Sequence, residues 1–360
     1  MEQLNELQEK LLRELRGRLH ACPEISGQER RTREEIMTFL SRYTTLELVD
    51  CGSWFYAAHR EKREIKPGIA LRADYDALSM PDGTAAHLCG HDGHAAALCG
   101  IGLLLEGKTV DRNVYLLFQP AEETGAGAQI CTEILVRENI GEIYGAHNLP
   151  GVAFGVVTTR PGTFACASCG LILNFTGAAA HAAYPENGIS PAPAVGMLLN
   201  ELSQLSAPEK YSSMVLCTVV GVQMGEKVFG AAAANAEMCM TLRAEYDRDL
   251  ASLERCIVSR AEDLARMYRL GFQFEKRDIF PATENHIAYA EKVLHTCDGK
   301  ILQSPMRWSE DFGWYLQKCA GAFWGIGAGK EYAPLHTSSY EYPDDLLAPT
   351  CEAFYKLVLA

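Results

Sequence analysis

The stretch HLCGHDGHAAALCGIGLLLE, from His87 to Glu106, combines a cluster of potential metal ligands with a long apolar segment. Four ligand-type side chains lie within six positions: Cys89, His91, Asp92 and His94. Thiolate, imidazole and carboxylate groups are the usual ligands of zinc and manganese. Gly90 and Gly93 allow the backbone to turn sharply and to approach an ion closely. The residues that follow predict a helix over 92–106 that this turn opens.

Around this stretch, short apolar runs alternate with segments of helical periodicity. Strands are predicted at 68–73, 113–118 and 142–147, and helices at 3–19, 28–43 and 126–138. Such alternation favours an α/β fold with a mostly parallel sheet flanked by helices. Polar residues lie at the ends of all three strands: Asp74 and Asp76 follow the first, Glu122 and Glu123 follow the second, and His147 ends the third. Because open α/β sheets bind ligands beyond the carboxyl ends of their strands, we expect a functional site at this edge.

The pattern changes near residue 165. Strands are predicted there at 170–176, 214–222, 237–244 and 271–276, and helices at 191–205 and 250–270. The resulting order, β-α-β-β-α-β, is that of a ferredoxin-like α+β domain. We therefore expect an inserted domain at 168–280, with residues 1–167 and 281–360 forming one α/β domain.

The composition is that of an ordinary globular protein and narrows the choice of partners. The 360 residues are 48% hydrophobic and carry a formal net charge of −13, which argues against nucleic acid or an anionic membrane as a partner. No run reaches about 18 uninterrupted apolar residues, so we predict no membrane association. The 13 cysteines follow no disulfide framework. They indicate reduced thiols in a cytoplasmic protein.

Three later stretches add further ligand-type residues: FQPAEE (118–123), AHN (146–148) and PLH (334–336). Together with the first cluster they predict one metal centre assembled from four parts of the chain. Two divalent ions about 3.5–4 Å apart can share a water and lower its pKa towards about 7. From the residues alone, Cys89 or a carboxylate can bridge the ions, and three histidines can flank them: His91, His147 and His336. Of the adjacent Glu122 and Glu123, one can bind metal while the other acts as general base.

Eight motifs in this order resemble the M20 metallopeptidase superfamily, specifically its amidohydrolase branch of hippurate hydrolases, N-acyl-amino-acid amidohydrolases and auxin-conjugate hydrolases. The motifs are RGRLHACPEISGQERRT (16–32), LRADYDAL (71–78), CGHDGHAA (89–96), FQPAEE (118–123), AHNLP (146–150), GAAAHAAYPENGISPA (177–192), WSEDFGWYL (308–316) and LHTSSYEYPDDLL (335–347). The resemblance covers nearly the whole chain. It implies a fold of the metal-dependent exopeptidase type whose inserted domain serves as a lid and in homodimerisation.

The resemblance also implies a role for each matching residue. Cys89 would bridge two divalent ions, Zn²⁺ or Mn²⁺, and four residues would complete the ligand set: His91, Glu123, His147 and His336. Glu122 would be the general base, and Asp74 would orient a ligand from behind. His181 would polarise the scissile carbonyl, often in a site built by two subunits. Asn235 and Arg243 match residues of the family's inserted domain and are candidates for substrate contacts.

The chain departs from the family pattern in three places. The segment between Leu78 and His87 is shorter than usual. FGAAAANAEMCMTLR (229–243) lacks the usual proline after its asparagine, a departure that concerns substrate contacts and not the metal chemistry. The sequence after His336 also differs from the usual one.

Other polar residues have simpler interpretations. We expect His94 to hydrogen-bond a neighbour and Asp92 to cap the helix that follows it. Five further histidines are expected at the surface or in caps: His20, His59, His87, His286 and His295. For Glu310 and Asp311 the sequence allows two interpretations: they line the site, or they have a purely structural role.

The leading hypothesis is a metal-dependent amidohydrolase that cleaves N-acyl amino acids or related small conjugates. A dipeptidase or aminopeptidase on the same scaffold would differ in also recognising a free amine. A metal-binding or peptide-binding protein without turnover would be expected to have lost Glu122 or part of the ligand set, and this chain keeps both.

Overall fold

The computed structural model describes residues 3–360, which form two compact units. The first unit contains residues up to Phe164, together with Thr283–Pro305 and Glu310–Ala360. The second contains Ala165–Ala282 and Met306–Ser309. None of the helices in the described residues is both long and apolar enough to span a membrane.

An eight-stranded sheet runs through the first unit. In spatial order its strands are Glu47–Asp50, Phe55–His59, Val114–Gln119, Gly68–Asp74, Ile140–Pro150, Gly321–Gly329, Val157–Thr159 and Lys300–Ile301. The four strands from Val114–Gln119 to Gly321–Gly329 run parallel, with antiparallel neighbours on both sides. The predicted mostly parallel sheet is confirmed. Its central strands are buried along almost their whole length, as expected for parallel strands that helices cover on both faces.

The first unit has eight α-helices among its described residues: Glu6–His20, Arg31–Tyr43, His91–Leu105, Gly127–Cys131, Glu133–Arg137, Ile287–Thr296, Gly313–Leu316 and Leu347–Leu359. His91–Leu105 is buried along its whole length. At Gly100 a side chain would meet Cys351 and Leu12, so the glycine lets the terminal helices pack closely against it. The single helix predicted at 126–138 is instead two short ones, with the Thr132 hydroxyl bonded to a backbone carbonyl where they meet.

The second unit is an antiparallel sheet with helices packed on one face. Its strands lie in the order Val215–Met224, Asn235–Ala244, Ala167–Thr176 and Gly271–Phe280. Helices Ala192–Leu205 and Asp247–Met267 share its apolar core. This is the β-α-β-β-α-β connectivity that the sequence predicted.

Short elements complete both units. The remaining strands are Leu78–Ser79, Ala85–Ala86, Gly162–Ala165, Ala180–His181, Ala231–Ala232 and Thr283–Asn285, and the 3₁₀ turns are Pro185–Asn187, Pro208–Lys210 and Asp344–Leu346.

Candidate metal centre

The predicted ligands meet beyond the carboxyl ends of the parallel strands in the first unit. The Cys89 Sγ atom lies 3.3 Å from Nε2 of His147 and 3.3 Å from Nε2 of His336. The Glu123 Oε1 atom lies 3.7 Å from His336 Nε2 and 3.8 Å from His91 Nε2. The thiol therefore contacts two histidines, and the Glu123 carboxylate lies near two, His91 and His336.

The donor atoms fit a divalent metal. His91 Nε2 and Glu123 Oε1 are buried and have no hydrogen-bond partner, although such atoms are normally satisfied. Their separation is too long for a hydrogen bond. In a tetrahedral site with bonds of about 2.1 Å, two ligand atoms lie about 3.4 Å apart. The contacts around Cys89 and Glu123 are close to that spacing, and the mix of sulfur, nitrogen and oxygen suits zinc or manganese.

Asp76, which sequence analysis gave no role, holds the ring of His91. His91 Nδ1 lies 3.1 Å from both the carbonyl oxygen and Oδ1 of Asp76. This contact turns Nε2 towards the other donors. Asp76 Oδ2 also accepts the backbone N–H of Glu123 at 3.1 Å. The sequence signal was the pair Asp74 and Asp76, since alternate residues of an extended chain face the same side.

Asp74 contacts other groups. Its Oδ1 lies 2.6 Å from Nδ1 of His94, and its Oδ2 accepts from Arg72 at 2.7 Å and lies 3.8 Å from His91 Nε2. The other nitrogen of His94 lies 2.5 Å from the Asn148 side chain. His94 thus hydrogen-bonds its neighbours, as predicted. The hydrogen bonds of the Asp74 carboxylate go to Arg72 and His94.

A buried layer of charge lies beneath the centre. Arg72 is fully buried and contacts Asp74, Glu310 at 3.0 Å and Asp311 at 2.8 Å. The backbone N–H of Asp311 lies 3.4 Å from Oε1 of Glu122. Glu310 and Asp311, left open by the sequence, therefore line the buried side of the site.

Burial raises the pKa of several of these carboxyl groups. The pKa of Glu122 is raised well above its usual value by burial and by the nearby charge of Glu310. Burial also raises the pKa of Asp311 to about 6, although Arg72 opposes the shift. A carboxylate with a raised pKa accepts a proton more readily, which suits a general base.

The backbone is strained at two points of the site. Ala121, next to Glu122, has φ +52°, and His336 has φ +62°. Residues other than glycine rarely adopt this region, and they persist there when surrounding contacts hold them. Gly90 has φ +99°, and a Cβ there would lie 2.5 Å from the Asn148 side chain.

The other predicted site residues belong to the second unit. His181 is exposed on the strand Ala180–His181, and its Nδ1 accepts the N–H of Ala183 at 3.0 Å. Asn235 begins the strand Asn235–Ala244, and Arg243 near its end donates to Ser309 Oγ at 2.7 Å.

Two predictions for neighbouring residues were wrong. Asp92 does not cap the helix that begins at His91: the N-cap is Gly90, which offers no side chain. The Asp92 carboxylate is buried in the first turn, with Oδ2 2.8 Å from Nδ1 of His20. His87, predicted at the surface or in a cap, is 3% exposed. Sequence spacing could not reveal these contacts because they depend on how the N-terminal helix packs.

Comparison with known proteins identifies the family. The model of one protein family, described as peptidase family M20/M25/M40, matches residues 70–360. The chain belongs to this family. The M20 assignment made from the eight motifs is therefore confirmed, and with it metal-dependent hydrolysis of carbon–nitrogen bonds.

Relatives within the M20 family align along most of their length. N-acetylcysteine deacetylase of Bacillus subtilis (strain 168) is 27% identical over 96% of this chain and 95% of its own. IAA-amino acid hydrolase ILR1-like 5 of Arabidopsis thaliana is 27% identical over 92% of this chain and 82% of its own. The crystal structure of Bacillus subtilis YxeP, a dinuclear metal-binding M20 peptidase, superposes with TM-score 0.81 at 23% identity, covering 99% of this chain and 98% of the other. This likeness confirms the fold.

Proposed function

We propose that the protein hydrolyses the amide bond of N-acyl amino acids or related small conjugates at a centre of two divalent ions. The observation that carries the proposal is the arrangement of five donor side chains beside one further buried carboxylate, Glu122. The donors are Cys89, His91, Glu123, His147 and His336. The relatives named above act on an acetylated amino acid and on an amino-acid conjugate, and both bonds are amides at an amino-acid nitrogen.

The proposed mechanism gives the two glutamates different roles. Bound Zn²⁺ or Mn²⁺ would supply a Lewis acid for the carbonyl oxygen and a water of lowered pKa. Glu123, whose Oε1 faces His91 and His336, would bind metal. Glu122, whose Oε2 is 4.0 Å from His91 Nε2, would take the proton of the attacking water. It would then return that proton to the leaving amine.

Three further assignments accompany the proposal. The thiol and three imidazoles favour zinc, while the carboxylate content admits manganese. None of the 13 cysteines, all of which lie in the described residues, is in a disulfide, and reduced thiols are typical of cytoplasmic proteins. His181, by family resemblance, would polarise the scissile carbonyl, and Asn235 and Arg243 would contact substrate.

A substrate panel tests the proposed function. Reduced protein loaded with Mn²⁺ or Zn²⁺ should release amino acid from N-acetyl or N-benzoyl amino acids, and a chelator should abolish that release. Dipeptides belong in the same panel. A preference for dipeptides would favour the peptidase alternative, and activity that persists after complete metal removal would contradict the proposed chemistry.

We also propose that residues 168–280 mediate a homodimer through the edge strand Val215–Met224. This strand pairs on one side only, and its residues 218–223 are exposed. Val220 is 69% exposed and Val222 is 41% exposed. The opposite edge, Gly271–Phe280, carries the charged run 275–278. Charges on an edge discourage pairing with another chain, so the uncharged edge is the better candidate.

Charge placed on the uncharged edge should therefore separate the subunits. Light scattering at low micromolar concentration is expected to give a dimer for the native chain and a monomer for Val220→Lys with Val222→Lys. Phe274→Lys, on the opposite edge strand, is the matched control and should stay dimeric. A native chain that is monomeric and fully active would exclude a required dimer.

A further inference from the structure

The segment Arg16–Thr32 contains one of the eight motifs but none of the proposed metal ligands. It includes the end of helix Glu6–His20, the loop after it and the start of helix Arg31–Tyr43. In the structure, several of its polar groups point to loops that carry the metal centre. The proposed chemistry gives this motif no role, so its contacts with these loops need another explanation.

The first set of contacts reaches the residues that follow strand Gly68–Asp74. Ser26 Oγ donates to Asp76 Oδ2 at 2.7 Å, and the N–H of Ala77 donates to the carbonyl of Glu24 at 2.9 Å. Asp76 is the residue that holds the ring of His91 and accepts the backbone N–H of Glu123. A single residue, Asp76, thus links Ser26 to two proposed ligands, His91 and Glu123.

The second contact reaches the strained turn. The Glu29 side chain is only 6% exposed, and its Oε1 accepts the N–H of Ala121 at 2.8 Å. Ala121 is in the left-handed region and directly precedes Glu122 and Glu123. A hydrogen bond from a backbone N–H to a carboxylate is among the stronger kinds, and it helps to hold a conformation that the residue would otherwise leave.

A third contact secures the segment itself. Glu24 Oε2 accepts the backbone N–H of Thr32 at 2.8 Å and its hydroxyl at 3.0 Å. This closes the loop between the two helices. The loop that presents Ser26 and Glu29 is therefore fixed at its far end as well as against the centre.

We propose that Glu29 and Ser26 are positioning residues of the metal centre. Glu29 sets the turn that carries Glu122 and Glu123, and Ser26 fixes Asp76 and through it the ring of His91. This inference rests on the proposed function, since it takes His91 and Glu123 as metal ligands. A segment that merely anchored the N-terminal helix would affect stability and leave metal affinity unchanged.

Metal affinity, measured by chelator competition with Mn²⁺ and with Zn²⁺ on reduced protein, tests the proposal. Glu29→Ala should weaken binding by about 10–100-fold, the usual effect of losing a group that orients a ligand. Ser26→Ala should weaken it less. Glu29→Gln, which keeps an oxygen acceptor, should recover part of the loss. Glu34→Gln removes an exposed carboxylate from the neighbouring helix and should bind like the native chain.

The outcomes are distinct. Native metal affinity in a folded Glu29→Ala variant would overturn the proposal, whatever happens to its stability. If Glu29→Ala does not fold, Ser26→Ala and Glu29→Gln decide: weaker binding supports the proposal, and native affinity in both overturns it. A native chain that binds metal but hydrolyses no amide would contradict the proposed function. The positioning role of Glu29 and Ser26 would then still be decided by the metal affinities of the variants.

Discussion

Glutamine at position 122 is expected to abolish nearly all amide hydrolysis while leaving metal bound. Glu122→Gln keeps the size of the buried side chain but removes its ability to take a proton. A loss of about 10²–10⁴-fold in kcat is expected for a missing general base. The measurement is kcat on the best N-acyl amino acid of the panel, together with metal content. KM should change little, because the exchange preserves shape.

Glu133→Gln is the matched control for this experiment. Glu133 is exposed on the short helix Glu133–Arg137, outside the site, so its exchange should leave kcat unchanged. A Glu122→Gln variant that retains full turnover with metal bound would exclude Glu122 as the base. Loss of metal together with activity would instead place Glu122 among the ligands.

Removing the central thiol is expected to have the second large effect. The Cys89 thiol contacts both His147 and His336, so Cys89→Ala leaves both histidines without their shared partner. Metal binding should weaken by more than the roughly 10–100-fold that follows loss of an outer partner, and activity should fall with it. Cys89→Asp should recover part of both, since a carboxylate can also bridge two divalent ions.

Titration of metal per protein chain, before and after dialysis, measures this effect. Cys256→Ala serves as the control, because Cys256 is exposed and distant in sequence from every proposed ligand. If Cys89→Ala holds two ions as tightly as the native chain does, the thiol is not a bridging ligand and the proposed centre is wrong in its central feature.

The fold was largely predictable because the burial pattern of each element is local. Strand Gly68–Asp74 is buried along its whole length and begins with the apolar run 68–71, and helix His91–Leu105 begins at a turn that its glycines mark. The order of such elements was enough to predict the parallel sheet and the ferredoxin-like unit. Boundaries differed where a side chain competed for backbone hydrogen bonds, as at Thr132.

The donors of the centre were predictable as residue types, but the groups that orient them were not. Asp74 and Asp76 are equivalent in an extended chain, so the sequence could not tell which one would contact His91. Glu29 and Ala121 are 92 positions apart, and neither residue type signals their hydrogen bond. Contacts of this kind arise from how distant elements pack, which a single sequence does not encode in any local pattern.

The place of the second unit in the chain has a consequence for biosynthesis. Cys89 and His336 are 247 positions apart, and strand Gly321–Gly329, which lies beside Ile140–Pro150, is translated only after the second unit. Until then Ile140–Pro150 lacks one neighbour, and an unpaired strand edge invites aggregation. At about 5–20 residues per second, translation of the intervening chain lasts on the order of 10 s. The edge of strand Ile140–Pro150 in the nascent protein is therefore unpaired for that interval. The contact between Cys89 and His336 can form only after His336 has been translated.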